Sequence, residues 1–283
     1  MRNLLPPPWI KFPSIDPFSI GWRMGAGEDY KFKFNDWLKT LSQDERSEYQ
    51  QLFTEPATWR GYWDERLGKD ESTLFIKGGF VIDLWEREPR YDLKWLKKRY
   101  NAGKPDKFLL FWGHQKSANL SASCLSQWYA ASFWEDETKY ICAEQYMMAK
   151  KAECFGDEET LEQILSAKDP AQMKALGRQV RGFDAKVWDE IKFGVVLNAS
   201  YLKFSQNAKL REFLLSTKDK ILVEASPVDK IWGIGMSAED QNAHNPMKWR
   251  GQNLLGFALM RARDEIAKVY KNVHLCDARE LNL

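Results

Sequence analysis

Between residues 188 and 202 the apolar side chains Trp188, Ile191, Val195, Ala199 and Leu202 recur at helical intervals. At about 100° per residue they fall within one narrow arc, which predicts a helix laid along a core. Lys192 lies inside that arc rather than opposite it. A lysine so placed either runs its stem out to water or holds its amine in a dry cleft. In the second case desolvation disfavours the ammonium and leaves a free amine able to attack an electrophilic carbon.

A second segment, 143–152, carries a charge in the same kind of position. Glu144 shares a stripe with Met147, Met148 and Lys151, at offsets of three, four and seven. It falls in the first helical turn, where the macrodipole supports an anion. Glu144 is therefore either a helix-stabilising carboxylate or a proton-transfer group, and with Lys192 it forms a possible acid/base and nucleophile pair.

Composition narrows the class. The formal net charge of +2 over 283 residues gives no global attraction to a polyanion, so any nucleic-acid contact must be local. Cys124, Cys142, Cys154 and Cys276 contain no CxxC, and His114, His244 and His274 form no ligand cluster with them, so no metal site is expected. No apolar run has the length of a membrane span, and 1–8 lacks a signal-peptide core. Reduced thiols and a cytoplasmic location are the expectation, with no membrane partner.

Along the chain, Pro6–Pro8 begin an extended segment. Residues 21–28 are glycine-spaced without the Lys-Ser/Thr of a P-loop and read as a turn-rich loop. Residues 35–53 suit a helix broken near a capping box at Ser42–Glu45. The runs 73–76 and 80–82 across 77–79 read as a hairpin, and 92–99 as a short basic helix. Residues 101–106 punctuate strongly, which divides the chain into an N-terminal extension over 1–104 and a core over 105–283. The extension mixes Trp9, Trp22, Trp37, Trp59, Trp63, Trp85 and Trp95 with Lys and Arg. It is either a stacking surface for single-stranded nucleic acid or an added layer packed on the core.

In the core, 108–112 reads as a buried strand and 221–225 as another. Asp157, Asp169 (before Pro170) and Asp184 cap successive helices. In 229–235 the glycines bring backbone near a ligand, with Trp232 as a wall and Asp229 as a further carboxylate, or else form a turn around a packed Trp. The polar loop 237–250 has the length of a lid. A last helix buries Leu254, Leu255, Ala258, Leu259, Ala262 and Ile266, leaving Arg261, Arg263 and Asp264 outward or at its edge. Asn253 at its start either caps it or also meets a phosphate.

Taken in order, Glu144-Gln145-Tyr146 with Ala149-Lys150, Gly177-Arg178, Trp188 with Lys192, Trp232-Gly233 with Gly235, and Gly251–Gly256 with Leu259, Met260 and Arg263 resemble the NADAR family. The resemblance covers about 108–266 and implies a mainly helical α+β domain with a small sheet. It implies an N-glycosidase that needs no metal or cofactor, its cleft lined by Trp128, Glu144, Arg178, Trp188, Lys192, Asp229, Trp232, Gly233 and Asn253. In that cleft Glu144 or Asp229 handles protons while Lys192 forms a transient Schiff base with the opened sugar, and Arg178 holds phosphate. Two departures stand out. Gln127 occupies a place where relatives have Asn, and Ile234 stands where many have an acid.

The resemblance implies removal of ADP-ribose from guanine in DNA, single-stranded by preference, as antitoxin to an ADP-ribosyltransferase toxin. Alternatives are cleavage of the ribosylamino-pyrimidine phosphates of riboflavin synthesis, or an ADP-ribose or NAD sensor without turnover.

Overall fold

The structure, a computed structural model, describes residues 4–59, 61–65, 75–76, 80–81, 90–104, 106–115 and 119–281. Among the described residues the chain is mainly helical with three two-stranded β elements, the α+β class that the resemblance implies.

The N-terminal part opens with α1 (Pro8–Lys11), α2 (Ala26–Thr40) and α3 (Gln43–Leu52). Two expectations are corrected here. The proline run does not stay extended, because Pro8 sits in the first turn of α1, where a missing N–H costs nothing. The glycine-spaced loop gives way at Ala26 to a 15-residue helix whose start has no side-chain cap, only Gly25 at φ 72°. The Ser42 capping box forms as its residues dictate. Strands β1 (Phe75–Ile76) and β2 (Phe80–Val81) pair antiparallel, while the remainder of the expected hairpin lies outside the described residues, as does Trp85. Helix α4 (Leu93–Asn101) follows, capped by Asp92.

The described tryptophans of this part pack into the core. Trp9, Trp22 and Trp59 are buried, with ring centroids 5.3–5.5 Å apart among Trp9, Trp59, Trp63 and Trp22. They form a packed aromatic layer, so these rings offer no stacking surface for nucleic acid. Asn272 binds the Leu52 carbonyl at 2.7 Å, and Tyr91 binds Asp264 at 2.7 Å.

In the remainder, β3 (Phe108–Phe111) pairs in parallel with a strand from far along the chain, β6 (Ile221–Glu224), Phe111 lying opposite Glu224. Between them come the hairpin β4 (Phe133–Glu135) and β5 (Thr138–Tyr140), then α5 (Ala143–Cys154), α6 (Glu158–Ser166), α7 (Pro170–Gly177), α8 (Ala185–Gln206) and α9 (Ala208–Ser216). The aspartates at 157, 169 and 184 accept from the first-turn amides of α6, α7 and α8. Helix α10 (Leu254–Val269) covers β6 and α8. Its Arg263 is buried and bonds Thr217 and the Lys220 carbonyl, rather than lying outward. Loop 237–250 packs Trp249 and His244 edge-on against Phe108, and no residue of it lines the cleft described next. It therefore packs against β3 rather than standing over the cleft as a lid. Among the described residues no helix is long and apolar enough to cross a membrane.

Candidate active site

Parallel strands open crevices at their carboxyl ends, and β3 and β6 do so here. Trp112, Gly113, His114 and Gln115 leave the end of β3, and Glu224, Ser226, Asp229 and Trp232 leave the end of β6. Both runs enter a cleft of about 970 Å³. Helix α5 supplies Glu144, Met147, Met148 and Lys151, α7 supplies Lys174, and Arg178 and Trp188 lie at the end of α7 and the start of α8.

Helix α5 is buried nearly all round, so each of its faces has a separate partner. Gln145 donates to the Ile164 and Leu165 carbonyls, tying α5 to α6. Tyr146 and Lys150 both reach Glu135, at 2.6 and 2.7 Å. The face carrying Glu144, Met147, Met148 and Lys151 is left to the cleft, as their spacing predicts. The Glu144 amide is held at 3.0 Å by the Gln127 carbonyl. The Gln127 side chain itself is buried against Met147, so this position sets the start of α5 by its backbone.

Glu144 is 2% exposed and its Oε1 has no hydrogen-bond partner among the described residues. Burial pushes its carboxyl up to about 7, against the pull of Lys174 and Trp128 and with a push from Asp229. Lys151 is half-buried. Its amine donates to the Gly177 carbonyl at 2.6 Å and lies 4.0 Å from the Phe183 ring centre, and burial pulls its pKa down. Helix α7 comes this close because Gly177 has no side chain, a Cβ there being driven into Met148.

Of the residues expected in the site, Glu144, Trp128, Arg178, Trp188, Asp229 and Trp232 line the cleft together. Lys192, Gly233 and Asn253 are not among its lining residues. The Lys192 ammonium pairs with Asp189 at 2.5 Å, one turn back on α8. Gly233 is a backbone contact, because a side chain at its position would meet the Glu224 carbonyl at 2.8 Å. Asn253, in left-handed backbone and fully buried, makes no cap. Its Oδ1 accepts from the Glu224 amide at 3.0 Å and its Nδ2 donates to the Leu222 carbonyl at 2.9 Å, locking β6 to the start of α10. Asp229 spends Oδ1 on the Ile231 and Trp232 amides, at 2.9 and 2.8 Å, which shapes the turn that presents Trp232. Ile234 is wholly buried and outside the lining, so an apolar side chain there takes nothing from the cleft.

The charged lining groups Lys151, Lys174, Glu224 and Lys230 were not among the site residues expected from the sequence. Lys174 lies 3.8 Å from Asp229 and 5.8 Å from the Trp128 ring centre, and the His114 and Trp128 ring centres are 5.4 Å apart. Lys151 was legible on the Glu144 stripe. Glu224 carried no local signal, since nothing in a strand's own sequence tells which crevice its end will face.

Buried carboxyls, a half-buried amine, tryptophan walls and further cations give this cleft the chemistry to hold a polar, ring-bearing anion and to move protons on it. The chain belongs to the NADAR family, whose NADAR domain model matches residues 110–267. An N-glycosidase of Acanthamoeba polyphaga mimivirus is 43% identical over 165 residues, 56% of this chain and 96% of its own. N-glycosidase YbiA of Escherichia coli is 34% identical over 132 residues, 47% of this chain and 74% of that protein. The NMR structure of E. coli YbiA aligns at a TM-score of 0.47 and 28% identity, covering 57% of this chain and 86% of that one. The named relatives support an N-glycosidase activity.

Proposed function

We propose that this chain is an N-glycosidase that releases ADP-ribose from the amino group of guanine in DNA. The observation that carries the reading is the pairing, two turns apart on one face of α5, of Glu144 and Lys151 in a single cleft. The amine role falls to Lys151 rather than Lys192, which is ion-paired and outside the lining. A glycosylamine opens to an imine, and a neutral lysine amine adds to its C1′. The base then leaves as the free amine, and water hydrolyses the lysine imine to the sugar aldehyde. Glu144, poised near neutrality, accepts and returns the protons of the lysine nitrogen.

The volume and walls favour the larger substrate. A cleft of about 970 Å³ lies at the upper end of the range for drug-sized ligands and suits a nucleotide diphosphate with a second base. Lys174, Arg178 and Lys230 supply charge for a diphosphate, while Trp112, Trp128, Trp188 and Trp232 supply faces for rings. An oligonucleotide carrying ADP-ribosylated guanine should release ADP-ribose on incubation with the protein, and borohydride should trap the sugar on Lys151. Cleavage of a ribosylamino-pyrimidine phosphate with no action on the oligonucleotide would assign the smaller substrate. Binding of ADP-ribose without release from either would make the protein a sensor.

A further inference from the structure

Among the groups lining the cleft, Glu224 has no part in the scheme above, yet its backbone is held on every side. Its amide donates to Asn253 Oδ1 at 3.0 Å, and its carbonyl accepts from the Ile234 amide at 2.9 Å. Its α-carbon is fixed opposite Phe111 in the parallel ladder, and Gly233 packs directly on its carbonyl. The side chain lines the cleft, with Oε2 shut off from water and lacking a hydrogen-bond partner among the described residues. A buried carboxylate with an orphan oxygen is costly unless it is protonated or meets a ligand. Burial and two like charges, Asp229 and Glu144, push its carboxyl up to about 8, with only Lys174 opposing.

We infer that Glu224 is a further catalytic residue of this cleft, the acid that protonates the departing base nitrogen and the base that afterwards deprotonates the attacking water. This deepens the glycosidase reading and rests on it. As the Lys151 amine adds to C1′ of the open-chain imine, the base nitrogen takes the Glu224 proton. Glu144 takes the proton shed by the lysine nitrogen and passes it to the same base nitrogen. The C1′–N bond then breaks with its electron pair on the departing nitrogen, leaving a cationic lysine imine. Water adds to that carbon and its proton restores the Glu224 acid. Glu144 carries the remaining hydroxyl proton to the lysine nitrogen as the sugar leaves as an aldehyde. Both carboxyls end as they began, and the net reaction consumes one water.

The test is the rate and pH profile of Glu224→Gln and Glu224→Asp with the ADP-ribosylated guanine oligonucleotide, beside the unaltered protein. Release by the unaltered protein must come first, since its absence overturns the glycosidase reading and leaves no reaction for Glu224 to serve. Given release, Glu224→Gln should slow it by about a hundredfold or more and slow borohydride trapping on Lys151 in parallel. The profile of the unaltered protein should fall as pH rises through about 8, where the Glu224 acid ionises, and Glu224→Gln should abolish that limb. Glu224→Asp keeps a carboxyl and should keep an alkaline limb at reduced rate, which a merely structural role does not produce. A Glu224→Gln protein that cleaves at the original rate with its alkaline limb intact overturns the inference. If Glu224→Gln does not fold, loss of the alkaline limb in a folded Glu224→Asp protein overturns it equally.

Discussion

At the scale of single residues, the proposed reaction depends on which lysine reaches the cleft and where the proton on Glu144 sits. Lys151→Ala should abolish borohydride trapping and lower the rate by at least a hundredfold, whereas Lys192→Ala should leave both within a few-fold, measured on the same oligonucleotide. Glu144→Gln should cost between about 10² and 10⁴ in kcat and remove the acid limb of the profile, because the carboxylate needed as base forms only as pH rises through about 7. The same burial predicts a stability change. A carboxyl raised in the folded state from 4.5 to about 7 imposes no penalty below 4.5, and a growing one as pH rises through 7. Glu144→Gln should therefore raise the Tm at pH 8.5, by an amount on the order of 1–3 kcal/mol in stability, and leave it nearly unchanged at pH 4.5. The stripe spacing on α5 made Glu144 and Lys151 readable in advance, because both sit on one helix. For Lys192 the arc was right, but the pattern could not distinguish a dry amine from one paired to Asp189 one turn back.

At the scale of elements, the site is assembled by long-range staples that have no sequence periodicity. Asn253 joins β6 to α10 across about 30 residues of chain, and Lys203, 1% exposed, donates to the Cys124 and Ser126 carbonyls at 2.7 and 2.8 Å. The second staple fixes the turn that delivers Trp128. Lys203→Met keeps the stem and drops the donors, stripping the Cys124 carbonyl of this bond and leaving the Ser126 carbonyl to the Tyr129 amide at 3.2 Å. It should lower stability by about 2–4 kcal/mol and raise KM more than it lowers kcat, read by thermal unfolding and steady-state kinetics. Helix ends with Asp or Ser caps were legible, because the cap is a local hydrogen bond: Ser42, Asp157, Asp169 and Asp184 all cap where expected. The start of α2 was not, since Gly25 supplies only backbone freedom. Glu224 was missed for a related reason. Its strand was recognisable, but its crevice exists only once β6 has paired with β3, some 110 residues earlier in the chain.

At the scale of the whole molecule, every residue that lines the cleft lies between Trp112 and Trp232, so no described residue of the aromatic N-terminal layer touches it. That layer nonetheless clasps the rest: Leu4 bridges to Cys276, Lys11 binds the Glu280 carbonyl at 2.6 Å, and Tyr49 and Tyr30 hold the backbone of Leu5 and Pro6. Composition alone left open whether its tryptophans faced outward to bases or inward to a core, because charge and aromatic content are the same in both arrangements. Burial decides it, and stability and chemistry should therefore separate here. Trp9 sits at the centre, edge-on to Tyr62 and Trp63 and tilted on Trp59, with its indole N–H unpartnered among the described residues. Trp9→Ala removes ring contacts without removing a hydrogen bond, so its cost is that of a cavity, about 3–5 kcal/mol. Denaturant unfolding should show that loss in full, while kcat and KM measured well below the lowered Tm stay within about twofold of the unaltered protein, since the cleft is built elsewhere. A large rise in KM at a temperature where Trp9→Ala is fully folded would mean that the layer shapes the substrate site after all.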